Sequence, residues 1–541
     1  MLEAEVVHAG AGSRAALTAS LAVFAILCVA YGVSVSNHLT EDSLWYAHDI
    51  FEPTDLFFHP HHLLYDPLMR ALLVPASAWL NGTEARLLYL QALNIIFSAA
   101  AGAVFCAALL SLGAGVIGAC AVSLLFGLSA FSYTYSSQIE VYGLTCLFLG
   151  VAVIGLARED DSKRGRLLTA AGYGAALFFH QTAIFFGLAI LARECLRPGK
   201  PLARRVENLA LTLVSPLAIV GLVYVTIGFL LGHRDPVSFW HWLTLHMQWG
   251  HWGQGTISAG TLGPAWRRLE QAVLAHGPGS ALPSGILLVA LCLYVFARLA
   301  DRGRAPVRHP SLAAGSLIWM TALAVFTTWW DARGAEFWGM FLMPVCLLLS
   351  LIGAGAPGAG ETGRSGPLDA RRLVPGACLA AMLCVLIATD VTLHRLNEQP
   401  DDLRQAARTL EQAARDGDLV WAAGTDGATC YRIYLLDRQV EILAINVKPA
   451  REAAANSTPA TFTRSLVDVM EREVRAAESR GGRCLIDGRM LAGAISTTRL
   501  TESLVPAEFR SALAERFQVI PVGPGLDATI YQLRPRSATG P

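Results

Sequence analysis

Apolar residues occur along this chain in long uninterrupted runs, each close to the length of a helix that crosses a bilayer. Such a helix needs about 20 predominantly apolar residues. Nine runs approach this length: 15–36, 85–112, 115–136, 139–157, 207–232, 282–300, 311–330, 337–355 and 373–392. The pattern therefore predicts a polytopic α-helical membrane protein.

A further run, 167–192, differs because basic residues border it on both sides. Segment 158–166 contains 4 Lys/Arg residues and segment 193–205 contains 5. Since basic residues mark the cytoplasmic ends of membrane segments, both ends of this run are predicted to be cytoplasmic. We expect two short helices that turn at Phe179-His180-Gln181. The total is then about 11 membrane helices, two of them short, with the N-terminus inside and the C-terminus outside.

The other loops carry the same charge asymmetry. The predicted inner loops 301–310 and 356–372 contain 3 Lys/Arg residues each. The predicted outer loops 37–84 and 331–336 contain one each, and the long outer loop 233–281 contains 3. This bias supports the predicted orientation.

The last part of the chain has a different pattern, because strand-like and helix-like segments alternate from about residue 393. The strand-like segments are DLVWAAG, QVEILAI, RCLIDG, RFQVIPVG and ATIYQLR. This alternation, closed by a hairpin, predicts a small α/β domain. We expect a transmembrane domain over 1–392 and an extracytoplasmic α/β domain over 393–541. An oxidising compartment would allow a disulfide between Cys430 and Cys484.

Composition supports the membrane assignment. The 541 residues are 54% hydrophobic and 16% charged, against about a quarter charged in soluble domains. The net charge is zero, so nothing indicates a nucleic-acid partner. The first apolar run is too long for a signal-peptide core and is interpreted as a retained helix. An Ala- and Arg-rich composition makes us expect a multi-pass protein of a bacterial inner membrane.

Titratable residues are concentrated in the first outer loop, residues 37–70. This loop contains Glu41, Asp42, Asp49, Glu52, Asp55, Asp66, His48, His59, His61, His62 and Arg70. The predicted topology places further polar residues at the same membrane face: Glu140, His180, Gln181, Asp331, Arg333, Glu336 and Asp390. Charges near a membrane are costly and usually mark function. The alternative is that loops are polar in any case.

Four segments, in this order, carry a family resemblance. They are the acidic loop with HPHHLLYDPL, the turn SSQIEVYGL, the hairpin ALFFHQTAIFF and the turn WWDARGAEFWGMFLMP. Over roughly 15–392 the chain resembles the C-type (GT-C) membrane glycosyltransferases, which include protein O-mannosyltransferases and lipid A aminoarabinose transferases. The acidic pair in mannosyltransferases reads Asp-Glu, whereas this chain has Glu41-Asp42, so the resemblance leaves open which residue is the base.

The resemblance implies transfer of a sugar from a polyprenyl-phosphate donor to an extracytoplasmic acceptor, which can be a lipid, a glycan or a protein. The acceptor hydroxyl must lose a proton, and Asp42 or Glu41 is the candidate catalytic base. The alternative is that the pair only caps a helix. Arg333 is the best cation for the lipid phosphate, because guanidinium binds phosphate in a bidentate way. The candidate substrate and lipid-phosphate ligands are Arg333, His59, His61, His62, Glu140, His180, Gln181, Asp331 and Glu336.

No metal ligands are assigned. Histidines beside carboxylates leave open whether a divalent cation binds, but HPHH lacks the helical i,i+4 spacing of a zinc site. His180 has a second interpretation as a buried, hydrogen-bonded histidine.

Two other functions remain open. A transporter or flippase of a lipid-linked glycan would place polar residues near the bilayer midplane in broken helices and usually contains a repeat. Here the polar residues are predicted at one face, and no repeat is visible, which favours the enzyme. A non-catalytic component of glycan assembly differs from the enzyme only in lacking transfer activity.

Overall fold

The computed structural model describes residues 2–54, 56–158, 162–244, 257–274, 281–301, 309–331, 334–353, 370–455, 457–458, 461–492, 505–522 and 530–536. The chain forms two compact units. The first, which we name the membrane unit, comprises Met1–Ser36, Asp55–Ala78 and Leu88–Glu398. The second, which we name the sheet unit, comprises Asn37–Thr54, Trp79–Leu87 and Gln399–Pro541. The division at residue 392 stays a prediction, and the sheet unit includes two short segments that lie before it.

The secondary structure of the described part of the chain before residue 398 is helical. In order they are α1 (Leu2–Gly32), α2 (Glu41–Phe51), α3 (Tyr65–Ala76), α4 (Gly82–Ser111), α5 (Val116–Gly127), α6 (Ala130–Ser136), α7 (Tyr142–Ala157), α8 (Lys163–Phe179), α9 (Phe186–Leu196), α10 (Leu202–Leu209), α11 (Ser215–Leu230), α12 (Pro236–Leu243), α13 (Ala259–Val273), α14 (Ala281–Asp301), α15 (Pro310–Asp331), α16 (Ala335–Gly339), α17 (Leu342–Gly353) and α18 (Ala370–Asn397). A 3₁₀ turn, Gln181–Phe185, joins α8 to α9, and a π turn, Ala210–Val214, joins α10 to α11.

Among the described residues, five helical segments are long and apolar enough to cross a membrane, or six if a bent pair counts as one span. The five are Arg14–Gly32, Gly82–Ser111, Leu202–Leu230, Pro310–Asp331 and Val374–Ala413. The count of about 11 membrane helices stays a prediction. The run 115–136, expected as one span, forms α5 and α6 with a 64° bend. Ser129 lies in this break, and its hydroxyl accepts a hydrogen bond from the amide of Ser132, 3.3 Å away, at the start of α6.

The run between the two basic segments forms an antiparallel pair, α8 and α9. Tyr173 in α8 donates a hydrogen bond to the carbonyl oxygen of Ile184 at 3.3 Å. At the far end of α9, Arg193 donates to the carbonyl oxygen of Leu156 in α7 at 2.8 Å. The start of α8 also lies beside the end of α7, since a Cβ added to Gly155 would lie 2.6 Å from the carbonyl oxygen of Gly165. Both ends of the pair are therefore at the same side, and the turn falls at the predicted Phe179-His180-Gln181.

The sheet unit contains five strands, β1 (Leu419–Ala422), β2 (Glu441–Ala444), β3 (Cys484–Asp487), β4 (Phe517–Val522) and β5 (Ile530–Pro535). Their order is β2-β1-β3-β5-β4. β1 pairs in parallel with β2 and β3, while β5 is antiparallel to β3 and β4. Four strands lie within the strand-like segments of the sequence, and β5 extends one residue beyond its segment. The extracytoplasmic position of this unit stays a prediction.

Helices complete the sheet unit: α19 (Asp402–Ala413), α20 (Thr425–Tyr434), α21 (Lys448–Ala455), α22 (Phe462–Ser479), α23 (Gly488–Ala492) and α24 (Pro506–Arg516). The core beneath the sheet includes the fully buried side chains of Trp421, Phe509 and Phe517. Cys430 lies in α20 and Cys484 in β3, and both are buried free thiols. The structure thus contains no disulfide between them, contrary to the one considered from the sequence.

The segment Trp79–Leu87 is tied to the rest of the sheet unit by one carboxylate. Glu84 accepts hydrogen bonds from Arg408, at 2.7 Å, and from Arg404 and Tyr434. The side chain of Arg404 is only 8% exposed. A buried cation needs such a partner, because an unpaired charge in the interior is strongly destabilising.

Candidate active site

The acidic pair lies at the N-terminus of α2, in the sheet unit. Thr40 is the N-cap residue, and its hydroxyl accepts a hydrogen bond from the amide of Ser43 at 3.0 Å. Glu41 and Asp42 occupy the first turn of the helix. Negative charge at this position interacts favourably with the helix dipole. The residue that caps the helix is therefore Thr40. The charges of both acids interact favourably with the helix dipole, and their carboxylates stay available for other contacts.

The two carboxylates have different surroundings. Glu41 accepts a hydrogen bond from the hydroxyl of Thr425, 2.9 Å away, at the first position of α20. Asp42 accepts no hydrogen bond from any described residue, and its side chain is exposed. Protein atoms crowded around Asp42 and the charge of Glu41 nevertheless raise the pKa of Asp42 to about 6. Asp42 thus combines solvent access with a pKa suited to a general base near neutral pH.

A charged cluster lies at the carboxyl ends of β1 and β3, next to Thr425. Asp487 ends β3, is buried, and accepts hydrogen bonds from Tyr431 at 2.6 Å and from the Nε of Arg489 at 2.9 Å. Asp426 lies 3.6 Å from Arg489. After β1 the chain passes to β2 on one side and then crosses to β3 on the other. Ligands of open α/β sheets bind outside the carboxyl ends of the strands at such a point.

In the membrane unit, the three histidines of the HPHH segment form one cluster. The rings of His59 and His62 are stacked with centroids 4.3 Å apart, and the rings of His59 and His61 are 5.2 Å apart. His59 and His62 are buried, whereas His61 is partly exposed. The ring of His61 lies 6.0 Å from that of Trp330, near the end of α15. His61 is therefore the member of the cluster best placed to meet a ligand.

The tip of the α8–α9 pair holds this segment in place. Gln181 donates its side-chain amide to the carbonyl oxygen of Pro60 at 2.7 Å, and its backbone amide to that of His61 at 3.0 Å. Tyr224 in α11 donates to the same Pro60 oxygen at 2.7 Å. These contacts give Gln181 a positioning function. Its predicted contact with substrate stays a prediction.

His180 is buried and caps the 3₁₀ turn. Its Nδ1 lies 2.7 Å from the hydroxyl of Thr182 and accepts from the amide of Thr182 at 3.2 Å. Its ring packs 5.3 Å from that of Tyr142. The geometry matches the interpretation of His180 as a hydrogen-bonded structural histidine, and direct contact with substrate stays a prediction.

Glu140 lies deep in the membrane unit rather than on its surface. It is 1% exposed, and its charge acts on the hydroxyl of Tyr65, as does that of Asp66. The ring of Tyr65 in turn lies 6.5 Å from that of His62. Glu140 is thus connected to the histidine cluster through Tyr65, a residue that sequence analysis did not select.

Asp331 and Glu336 lie close together in the turn between α15 and α16. A Cβ added to Gly334 would lie 2.9 Å from an Asp331 carboxylate oxygen and 2.8 Å from one of Glu336. Only glycine fits between them without displacement of a carboxylate. Asp331 directly follows Trp330, which contacts His61. Arg333 lies outside the described residues, so its predicted contact with phosphate stays a prediction.

An apolar groove of about 830 Å³ adjoins this turn. It is lined by Leu317, Ile318, Val325, Phe326 and Trp329 of α15, with Phe185 of the 3₁₀ turn. The ring of Phe326 stacks on that of Trp330 at 5.6 Å, and Trp330 contacts His61. The groove is therefore linked to the histidine cluster through the stacked rings of Phe326 and Trp330.

Asp390, predicted near the outer end of the last span, is buried in α18. Its two carboxylate oxygens accept no hydrogen bond from a described residue. Within the described residues, no group of three or more His, Cys, Asp or Glu side chains is arranged to hold a metal ion. Whether a divalent cation takes part stays open.

Sequence analysis did not select several residues that the structure places in these sites. Thr425, Asp426 and Arg489 in the sheet unit are far from Glu41 along the chain, and no local pattern marks the first two. A usable signal was present for Arg489, because it follows a buried strand that ends in an aspartate, where ligand-binding residues of α/β sheets commonly lie.

Comparisons with known proteins place the fold. No protein-family model matches the chain, and no curated protein matches its sequence. Solved structures of several proteins match nearly the whole chain. ArnT from Cupriavidus metallidurans bound to undecaprenyl phosphate has a TM-score of 0.57 and 14% identity, with 95% of this chain and 97% of ArnT covered. The archaeal oligosaccharyltransferase AglB from Archaeoglobus fulgidus, in complex with an inhibitory peptide and a dolichol-phosphate, has a TM-score of 0.53 and 13% identity, with 96% and 75% covered.

The arabinofuranosyltransferase AftD from Mycobacteria has a TM-score of 0.52 and 14% identity, and the match covers 95% of this chain and 39% of AftD. At these identities the likeness shows a shared fold. Together with the five apolar segments that are long enough to cross a bilayer, it identifies an integral membrane protein.

Proposed function

Because the chain has the fold of the GT-C membrane glycosyltransferases, we propose that it transfers a sugar from a polyprenyl-phosphate carrier to an extracytoplasmic acceptor. The acceptor is a lipid, a glycan or a protein, and the membrane is the inner membrane of a bacterium. The observation that carries the proposal is the apolar groove of about 830 Å³, whose lining residue Phe326 stacks on Trp330, the ring that lies beside His61. A polyprenyl chain matches such a groove, and its phosphate would then lie at the histidines.

The donor phosphate needs cationic or hydrogen-bonding partners at the end of the groove. His61 is partly exposed there, and His59 and His62 pack against or near it. Arg333, two residues after Asp331, is the proposed guanidinium partner. These groups would stabilise the negative charge that grows on the phosphate as it leaves.

Asp42 is the proposed general base. The acceptor oxygen forms a bond to the anomeric carbon while the bond from that carbon to the phosphate oxygen breaks. The hydroxyl proton passes to the Asp42 carboxylate, and the polyprenyl phosphate leaves as an anion. Glu41 has a different function in this proposal, because its hydrogen bond to Thr425 fixes the start of α2. The hydrogen bond of Glu41 and the raised pKa of Asp42 support this choice of Asp42 as the base.

The test uses the full chain purified in detergent with a panel of undecaprenyl-phosphate-linked sugars. Release of undecaprenyl phosphate in the presence of cell-envelope acceptors is measured. We expect release with one donor of the panel, and a groove-blocking Ala322→Trp variant should weaken use of that donor by tenfold or more. Ile96→Trp, a substitution at an exposed position of α4 away from the groove, is the matched control and should have little effect.

The same experiment separates the alternatives. Movement of an intact lipid-linked sugar across a vesicle membrane, without cleavage of its phosphate bond, would replace the transferase by a flippase. Absence of both activities over the whole panel would leave a non-catalytic assembly component and would overturn the proposal.

A further inference from the structure

A second cavity, which is polar, lies in the membrane unit at the opposite end of α8 from His180. Its volume is about 480 Å³. The side chains of Arg166, Arg197, Lys200, Arg204 and Asn208 line it. α8 has 17 residues, which corresponds to about 25 Å at 1.5 Å per residue. This cavity, which we name the basic pocket, is therefore separate from the proposed transfer site.

A buried ion network forms the floor of the basic pocket. Glu194 is 2% exposed and accepts from Arg193 at 2.5 Å, Lys200 at 2.7 Å and the amide of Asn208 at 3.1 Å. Two cations thus share one carboxylate. Burying charges is costly unless they are paired, so the arrangement indicates a built feature rather than a solvated loop.

The rim of the pocket is held in shape by Arg205. Its guanidinium donates to the carbonyl oxygens of Cys195 and Arg197, both at 2.7 Å, and its Nε donates to that of Lys200 at 3.1 Å. The turn contains Gly199, whose φ of +70° is a conformation that L side chains rarely adopt. The pocket is therefore preformed by backbone contacts that do not use its lining side chains.

Positive charge exceeds negative charge around this cavity. Among the described residues at and around the cavity are two carboxylates, those of Glu194 and Glu207, and six cationic side chains: Arg166, Arg193, Arg197, Lys200, Arg204 and Arg205. Arg166 pairs with Glu207 at 2.6 Å through one terminal nitrogen. Its Nε is buried and has no hydrogen-bond partner within the part of the chain that the structure describes. A buried donor without a partner is costly, so this Nε favours an acceptor that binds beside Arg166.

Exposed apolar side chains stand close in sequence to the residues that line the pocket. Leu167, Leu196, Leu202 and Val206 are exposed, with relative exposures from 54% to 76%. Leu202 and Val206 lie one turn apart on the same face of α10, and Arg204 lies on the opposite face. A free anion needs no such surface, whereas a phospholipid presents a phosphate and acyl chains together.

We propose that the basic pocket binds the phosphate of an anionic phospholipid of the inner leaflet. Basic pockets between membrane helices on the cytoplasmic side bind anionic head groups in this way, and the surrounding loops are those that charge asymmetry predicts to be cytoplasmic. The inference concerns lipid binding only and does not depend on the proposed transfer reaction.

The test measures the melting temperature of the full chain in detergent during titration with dihexanoyl phosphatidylglycerol, dihexanoyl phosphatidylcholine or inorganic phosphate. We expect a saturable rise in melting temperature with phosphatidylglycerol. For the other two ligands, the half-saturating concentration should be at least tenfold higher. The double variant Arg166→Gln/Arg197→Gln should weaken the response to phosphatidylglycerol about tenfold or more, because each lost contact is charge-assisted.

Two controls keep the test decisive. Lys163→Gln/Arg164→Gln removes the same charge from exposed positions that do not line the pocket and should change the half-saturating concentration less than twofold. Because loss of Arg166 also breaks its pair with Glu207, Arg197→Gln/Arg204→Gln provides a second pocket variant that keeps this pair, and it should show the same weakening.

Three results would overturn the proposal. Equal weakening by the control and pocket variants would mean that only net charge matters. Equal stabilisation by inorganic phosphate would indicate a free-anion site. The neighbouring Glu159, Asp160 and Asp161 lie outside the described residues, so a triple amide variant is included. A tenfold stronger lipid response in that variant would mean that these carboxylates occupy the pocket.

Discussion

Asp42 gives the sharpest test of the transfer mechanism, because its predicted behaviour depends on both charge and pH. Crowding and the charge of Glu41 raise its pKa to about 6. A general base must be ionised to accept a proton, so transfer should be complete above this pKa and lost as the pH falls through it. About nine tenths of Asp42 is ionised at pH 7 and about one tenth at pH 5, which predicts roughly a tenfold fall in single-turnover rate between these two pH values.

Asp42→Asn removes the base and keeps the shape of the side chain. We expect single-turnover transfer to fall by a factor on the order of a hundred or more, while donor binding barely changes, because the base meets the acceptor. The rate of the residual activity should no longer fall as the pH is lowered through 6, which is the acidic limb of the pH–rate profile. A raised pKa also means that the ionised carboxylate is less stable in the folded protein than in the unfolded chain, so Asp42→Asn should slightly raise the melting temperature.

Glu41→Gln is the matched control. It removes one of the two causes of the raised pKa, so the acidic limb should move to lower pH with a smaller loss of rate. Thr425→Val deletes the hydroxyl that donates to Glu41, so it should loosen the contact between the start of α2 and the start of α20. Single-turnover transfer and donor affinity are measured on the same preparations from pH 5 to 8. Near-normal transfer by Asp42→Asn, or an acidic limb that persists in this variant, would refute the mechanism.

Three further outcomes are expected. Arg333→Ala should weaken donor binding by about 1.5–3 kcal/mol, the range for a lost hydrogen bond to a charged group, and binding of undecaprenyl phosphate measures it; unchanged affinity would remove Arg333 from the phosphate site. Glu84→Ala should lower stability by about 3 kcal/mol, because it leaves buried Arg404 unpaired, and this is seen as faster proteolysis of residues 399–541. Labelling of introduced cysteines should mark 41–54 and 400–413 as external and 193–205 as internal; the reverse pattern would invert the topology.

The apolar pattern predicted most helices of the membrane unit, because a continuous apolar run has few alternatives in a bilayer. The basic residues on both sides of 167–192 also predicted its turn, since charge restricts which side each end can occupy. The bend between α5 and α6 was missed. Leu128 is the C-cap residue of α5, and Ser129 caps the start of α6 with its hydroxyl. Both lie within an apolar run, so the run alone did not reveal the break.

The candidate site was predicted in part. The acidic pair and the histidines stand in a polar loop and are visible by composition. Their partners are distant: Glu41 contacts Thr425, 384 positions away. Gln181 contacts Pro60, 121 positions away. Such contacts follow from packing in three dimensions and leave no periodic trace in one sequence, so the different surroundings of Glu41 and Asp42 could not be predicted.

The assembly of the sheet unit from three separate segments has a consequence for synthesis. Asn37–Thr54 emerges early, but its partners begin at residue 399. At about 5–20 residues per second, ribosomes need roughly 20–70 s to make the intervening chain. During this interval α2 has neither Thr425 nor the rest of α20 to pack against. A nascent or truncated chain therefore carries an acidic helix without its anchor, so the carboxylates reach their final arrangement only after translation has passed the last membrane helix.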